Sequence, residues 1–156
     1  MNKKLLSILL GVVVIVGAGL YFYNYISKQN LIIAYIDDSD AIAMELGQVI
    51  LEEELIEDYD ELLAFTEEYS LPRLHELLSE LHDLRVEYNH KKVLEVHELL
   101  EQSFEKAIEG NELWVNEDYV ASDRAFIESD YLYVQYEEDL EKLANSWNVE
   151  IIYEEE

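Results

Sequence analysis

From Leu5 to Ile26 the chain runs for 22 residues without a charged side chain. A helix of that length rises about 33 Å, enough for a hydrocarbon core of about 30 Å. Lys3 and Lys4 precede the run, and it closes on Tyr21-Phe22-Tyr23-Asn24-Tyr25, an aromatic cluster of the kind found at a membrane interface. The reading is a single-pass anchor over residues 5–26. The positive-inside bias keeps residues 1–4 in the cytoplasm and exports the rest to the cell surface. The alternative is a signal peptide cleaved near Val16-Gly17-Ala18, which would release the remainder as a secreted protein.

Beyond the run the chain is strongly acidic. All 36 Asp and Glu residues lie there against eight of the ten Lys and Arg, so the exported part carries a net −28. That charge excludes nucleic acid as a partner, since phosphate backbones are held by clustered Lys and Arg. Half of all residues are apolar, which excludes a disordered chain despite the charge. The absence of cysteine removes disulfides, thiol nucleophiles and cysteine-based metal sites.

The exported part divides into a joint at 27–40, an acidic helical domain at 41–147 and an acidic tail at 148–156. Leu31–Ile36 is too short an apolar run to decide between helix and strand; a strand there would pair with Val149–Tyr153 as a two-stranded ribbon. Asp37-Asp38-Ser39-Asp40 offers N-caps for a helix from Ala41 to Tyr69, in which Ile42, Val49, Ile56 and Leu63 recur at seven. Ser70 and Pro72 read as the cap and first turn of the next helix. Its stripe of Leu74, Leu77, Leu81, Leu84 and Tyr88 gives way to a second phase through Val86, His90, Val93, His97, Leu100, Phe104 and Ala107. That slip marks either a bend near Asn89 or a stripe rotating around one long helix. The last helix, bounded by Asn116, repeats Tyr119, Phe126, Tyr133, Leu140 and Trp147. With one proline and only Gly47 and Gly110 beyond the apolar run, the fold class is all-α: a transmembrane helix followed by an antiparallel bundle of three long helices, or four if one breaks.

Gly110, Leu113, Asp118-Tyr119, Ser122, Phe126 and Ser129 are spaced like the consensus of a tetratricopeptide helical hairpin, with Ser at two positions where Ala is usual. Residues 103–136 therefore resemble one such hairpin. No second copy follows, and the terminal proline is missing. The resemblance implies a protein- or peptide-binding role.

The histidines His75, His82, His90 and His97 stand 7, 8 and 7 apart, too far along a helix for neighbours to chelate one ion. His97 with Glu101 at i+4, and Glu87 with His90 at i+3, are the pairs that reach each other. These four residues are the candidate site for a weakly bound divalent cation or for pH sensing; otherwise each histidine is packed on a half-buried stripe beside a carboxylate. Glu76, Glu80, Asp83 and Glu87 line one helix face and read as a solvated acidic surface. Tyr131, Tyr133, Tyr136 and Trp147 read as core and boundary, or as the lining of an apolar groove. No nucleophile elbow, zinc-protease helix or phosphate-cradling loop occurs. The expectation is a membrane-anchored, extracytoplasmic helical protein that binds or scaffolds another protein without catalysis and without a cofactor.

Overall fold

A computed structural model describes residues 3–151, with side chains from Tyr25 onward. Every described element is helical. α1 is Lys3–Glu54, α2 Tyr59–Phe65, α3 Leu71–Glu87, α4 Lys91–Val115 and α5 Tyr119–Ser146, with a π-helical turn at Thr66–Ser70. The expected membrane span falls almost wholly on residues whose side chains are not described. The cleavage site at Val16–Ala18 and the tail beyond Ile151 also lie outside the described residues and side chains. Among the described residues no helix is long and apolar enough to cross a membrane.

Residues 27–40 are not a joint. They are the interior of α1, and the possible strand at Leu31–Ile36 is helical. The reason is a buried stripe that begins at Ile32: Ile32, Tyr35, Ser39, Ile42 and Val49 are all buried, at steps of three, four and seven that keep one face turned inward. Ser39 needs no capping role, because its hydroxyl donates 2.7 Å back to the Tyr35 carbonyl within the helix.

The helix expected from Ala41 to Tyr69 instead breaks after Glu54. Three consecutive glutamates sit at its carbonyl end, where the helix dipole disfavours negative charge. Asp58 then caps α2, accepting from the Glu61 amide at 3.0 Å. Ser70 caps nothing: its backbone is helical and the path runs on into α3. Pro72 lacks an N–H and would clash with the carbonyl one turn back. The π turn takes up that mismatch, with the Leu71 amide bonding to the Thr66 carbonyl.

Of the two readings at Asn89, the bend holds. α3 stops at Glu87, and α4 starts after His90, whose backbone is extended. α4 ends at Asn116 with Glu117 at φ 62°, and α5 ends at Trp147 with Asn148 at φ 57°. Both close with the paired reverse hydrogen bonds of a left-handed cap.

α1, α3, α4 and α5 form a four-helix bundle in which α3 and α5 run antiparallel to α1 and α4. α4 and α5 pack most intimately, through small residues. The Ser103 and Ser129 hydroxyls donate to each other's carbonyls at 3.0 and 2.8 Å, and Ser122 donates to the Gly110 carbonyl at 2.8 Å. The buried face of α5 is therefore Ser122, Ala125, Ser129, Tyr136, Leu140, Leu143 and Ala144, while Tyr119 is exposed. The core gathers Ile32, Tyr35, Leu77, Leu81, Leu100, Phe104, Tyr136 and Trp147.

The two helical glycines differ in use. A Cβ on Gly47 would meet nothing within 4 Å, whereas one on Gly110 would lie 2.7 Å from the Phe126 ring. Gly47→Ala is expected to raise stability by about 0.5–1 kcal/mol in a urea titration, because alanine costs less backbone entropy in a helix. Gly110→Ala should forfeit that gain by crowding α5.

Candidate functional site

A polar chain crosses the apolar centre of the bundle and touches all four long helices. On α5, the Tyr136 hydroxyl donates to Ser39 at 3.0 Å. One turn before Ser39 on α1, the Tyr35 hydroxyl lies 3.2 Å from Nδ1 of His97 on α4. His97 is 1 % exposed and Glu101, the next turn along, 5 %. On α3, Arg85 donates to Oε2 of Glu101, and His82 stands 3.8 Å from its Oε1.

His97 Nε2 lies 3.2 Å from that same Oε1, but off the line of a hydrogen bond, so both atoms lack a hydrogen-bonding partner. A neutral ring protonated on Nε2 lets Tyr35 donate to Nδ1 and leaves the N–H near the carboxylate without a hydrogen bond to it. Burial pushes the His97 pKa below its ordinary 6.5, outweighing the opposing pull of Glu101, while Arg85 adds to the depression. Tyr35 and Tyr136 are pushed upward, chiefly by burial, and act as hydrogen-bonding groups rather than acids.

Of the four residues singled out for a cation, the structure brings His97 and Glu101 together. Glu87 ends α3 and His90 precedes α4, where the His90 ring stands edge-on to Trp147 at 5.0 Å. Among the described residues no group of three His, Asp or Glu side chains is arranged to hold a metal ion. The acidic face of α3 is partly neutralised, since Arg73 reaches Glu76, Glu80 and Glu45 of α1. His75 is half exposed, 3.9 Å from Glu112.

A second feature lies at the other end of the bundle. α1 and α5 meet where Gln29 donates to the Asn148 carbonyl at 3.1 Å and again at Ser39 and Tyr136. Beyond that, side chains of both helices line a half-open groove of about 660 Å³. Leu46, Gly47, Val49 and Ile50 form one wall, Phe126, Tyr133 and Val134 the other, and Ser103, Ala107 and Ser129 the floor. Asn111 on the floor is 8 % exposed and donates to the Ala107 carbonyl at 2.9 Å. A smaller hollow of about 250 Å³ adjoins it, sharing Glu53, Asn111 and Phe126 and adding Trp114. Size and lining match the usual character of binding sites between bundle helices.

Of the tyrosine group, only Tyr133 lines this groove. Tyr136 and Trp147 are core, and Tyr131 is exposed. Residues 103–136 fall on the second half of α4 and the first part of α5, two antiparallel helices with Gly110 against Phe126. No protein-family model, characterised protein or solved structure matches the chain.

Proposed function

We propose that this chain is a single-pass, membrane-anchored helical binding module whose bundle stands outside the cytoplasmic membrane and takes its partner in the groove between α1 and α5. The groove is the observation that carries the binding role. It is an extended, mainly apolar recess that several helices build jointly. The uncharged run Leu5–Ile26, with Lys3 and Lys4 on its leading side against the single Lys28 just beyond it, supports the anchor and its orientation. α1 joins the two parts, because one helix bounded by Lys3 and Glu54 contains the run and one wall of the groove. The bundle end beside the run carries Lys28, 5.9 Å from the Trp147 ring centroid, a basic and aromatic pairing suited to a lipid surface.

The chain has no cysteine, so single cysteines report topology cleanly. Leu55→Cys, at a position 81 % exposed, is expected to react with a membrane-impermeant maleimide in intact cells. Asn2→Cys should react only after permeabilisation; the reverse pattern would defeat the orientation. Loss of the residues before Ala18 from the mature product would replace the anchor with secretion.

The buried His97–Glu101 contact supports a second reading, a module that responds to pH. It is compatible with the first.

A further inference from the structure

We propose that the occupant of the α1–α5 groove is a basic amphipathic helix presented by another protein. The inference rests on the binding-module reading and names the partner's chemistry. Three observations converge on it. First, the groove floor is built of small residues, Ser103, Ala107 and Ser129, and Gly47 in the wall has open space where its Cβ would be. Such surfaces let a helix backbone approach closely, and the apolar walls then receive side chains at i, i+3, i+4 and i+7.

Second, the rim is negative and no Lys or Arg among the described residues lines it; Glu53 accepts only from the Thr66 hydroxyl, at 3.3 Å. Glu53 and Asp130 line the groove, and neither joins an ion pair among the described residues. The surrounding exported chain is net −28, so an approaching cationic helix is drawn in and an acidic one repelled. A second copy of this chain, equally negative, is thereby disfavoured. So is its own tail, Glu154-Glu155-Glu156, which is equally acidic.

Third, Gly47 lies 21 residues beyond Ile26 along α1, which at the helical rise is about 30 Å. A groove that far from the proposed anchor is out of reach of the bilayer it stands on, so its partner is a protein and not a lipid.

The test uses the full chain in phosphatidylcholine nanodiscs at about 0.15 M salt, with empty discs as the blank. The probe is a synthetic peptide of about 16 residues, leucine on one helical face and lysine on the other. It is compared with the same composition ordered to have no apolar face, and with a long-chain alkylamine. The ordered peptide is expected to bind at least about tenfold more tightly than the reordered one. Gly47→Phe, which fills the groove from an unobstructed position, should erase that preference while helicity and melting are retained. Glu53→Gln with Asp130→Asn should weaken binding and flatten its salt dependence. Equal binding of the two peptides, or indifference to Gly47→Phe, overturns the choice of a helix and leaves only bulk charge attraction. Binding of the amine without the peptide assigns the groove to a small cationic amphiphile and also overturns it. If none of the three binds, the binding-module reading itself falls.

Discussion

Replacing Arg85 by leucine is expected to destabilise the bundle by about 2–3 kcal/mol, read as a lower urea midpoint with unchanged slope. Glu101 is 5 % exposed, and a carboxylate so placed needs a compensating partner. Arg85 is the only guanidinium on it. Breaking a fully buried pair costs about 3–5 kcal/mol; the smaller figure reflects an arginine whose own side chain is 47 % exposed. The harm comes from the stranded carboxylate, not from the loss of an attractive contact. Arg85→Leu combined with Glu101→Leu should therefore recover most of the loss. If the double variant is as unstable as the sum of the two single ones, the pair is not coupled and the account fails.

The same substitution tests the histidine. In the wild type the folded-state pKa of His97 lies below the ordinary 6.5. As pH falls through that ordinary value the unfolded chain binds a proton that the folded chain refuses, so His97 contributes stability at neutral pH that is lost progressively on acidification. In Arg85→Leu the repelling cation is gone, Glu101 is left with the His97 and His82 imidazoles, and the His97 pKa should rise. The difference in stability between variant and wild type is then expected to shrink between about pH 8 and about pH 5.5, and the His97 ring resonances should titrate at higher pH in the variant. A gap that stays constant, with no shift in titration, would show that the two residues do not sense each other.

What the sequence disclosed follows from what a hydrophobic pattern records. The Leu74–Leu84 stripe and the phase slip after Tyr88 were legible because large apolar side chains mark them. The face of α5 was misread by a fraction of a turn, because its innermost positions are Ser122, Ala125 and Ser129. Small residues allow the close approach of α4, yet they do not stand out as a core. The break at residues 55–58 has a sequence signal in Asp58 with Glu61 three positions on, a capping pattern, but the spacing of Ile56 and Leu63 continues through it and hides the break. His97 with Glu101 could be paired from their i, i+4 spacing. Tyr35, 62 residues from His97, and Arg85, 16 from Glu101, join them only through the bundle's topology. The groove could not be read at all, since it is lined jointly by side chains of separate helices. Its one sequence trace is Gly47, which reads as a flaw in a helix until the open space beside it is seen.

Tyr35→Ala is expected to produce the largest loss of any substitution argued here, about 3–5 kcal/mol. The side chain is fully buried, its ring meets Tyr88 edge-on at 5.5 Å and His97 at 5.8 Å, and removing it opens a cavity among four helices that cannot collapse independently. Tyr35→Phe separates the ring from the hydroxyl. It keeps the packing and withdraws the hydroxyl that serves His97 Nδ1 and interacts with Tyr136, so it should cost about 1–2 kcal/mol, in the range for leaving a buried polar atom unsatisfied. The size of the alanine effect decides a structural question. Were residues 27–40 a loose joint, with Leu31–Ile36 packed on nothing, both substitutions would be near neutral. If α1 instead carries its buried stripe unbroken from Ile32 to Val49, the alanine variant should lose most of its cooperative transition while the phenylalanine variant retains it. A urea titration of the two, followed by far-ultraviolet circular dichroism, distinguishes these outcomes. It also tests whether the helix that would emerge from the membrane is the same helix that organises the core.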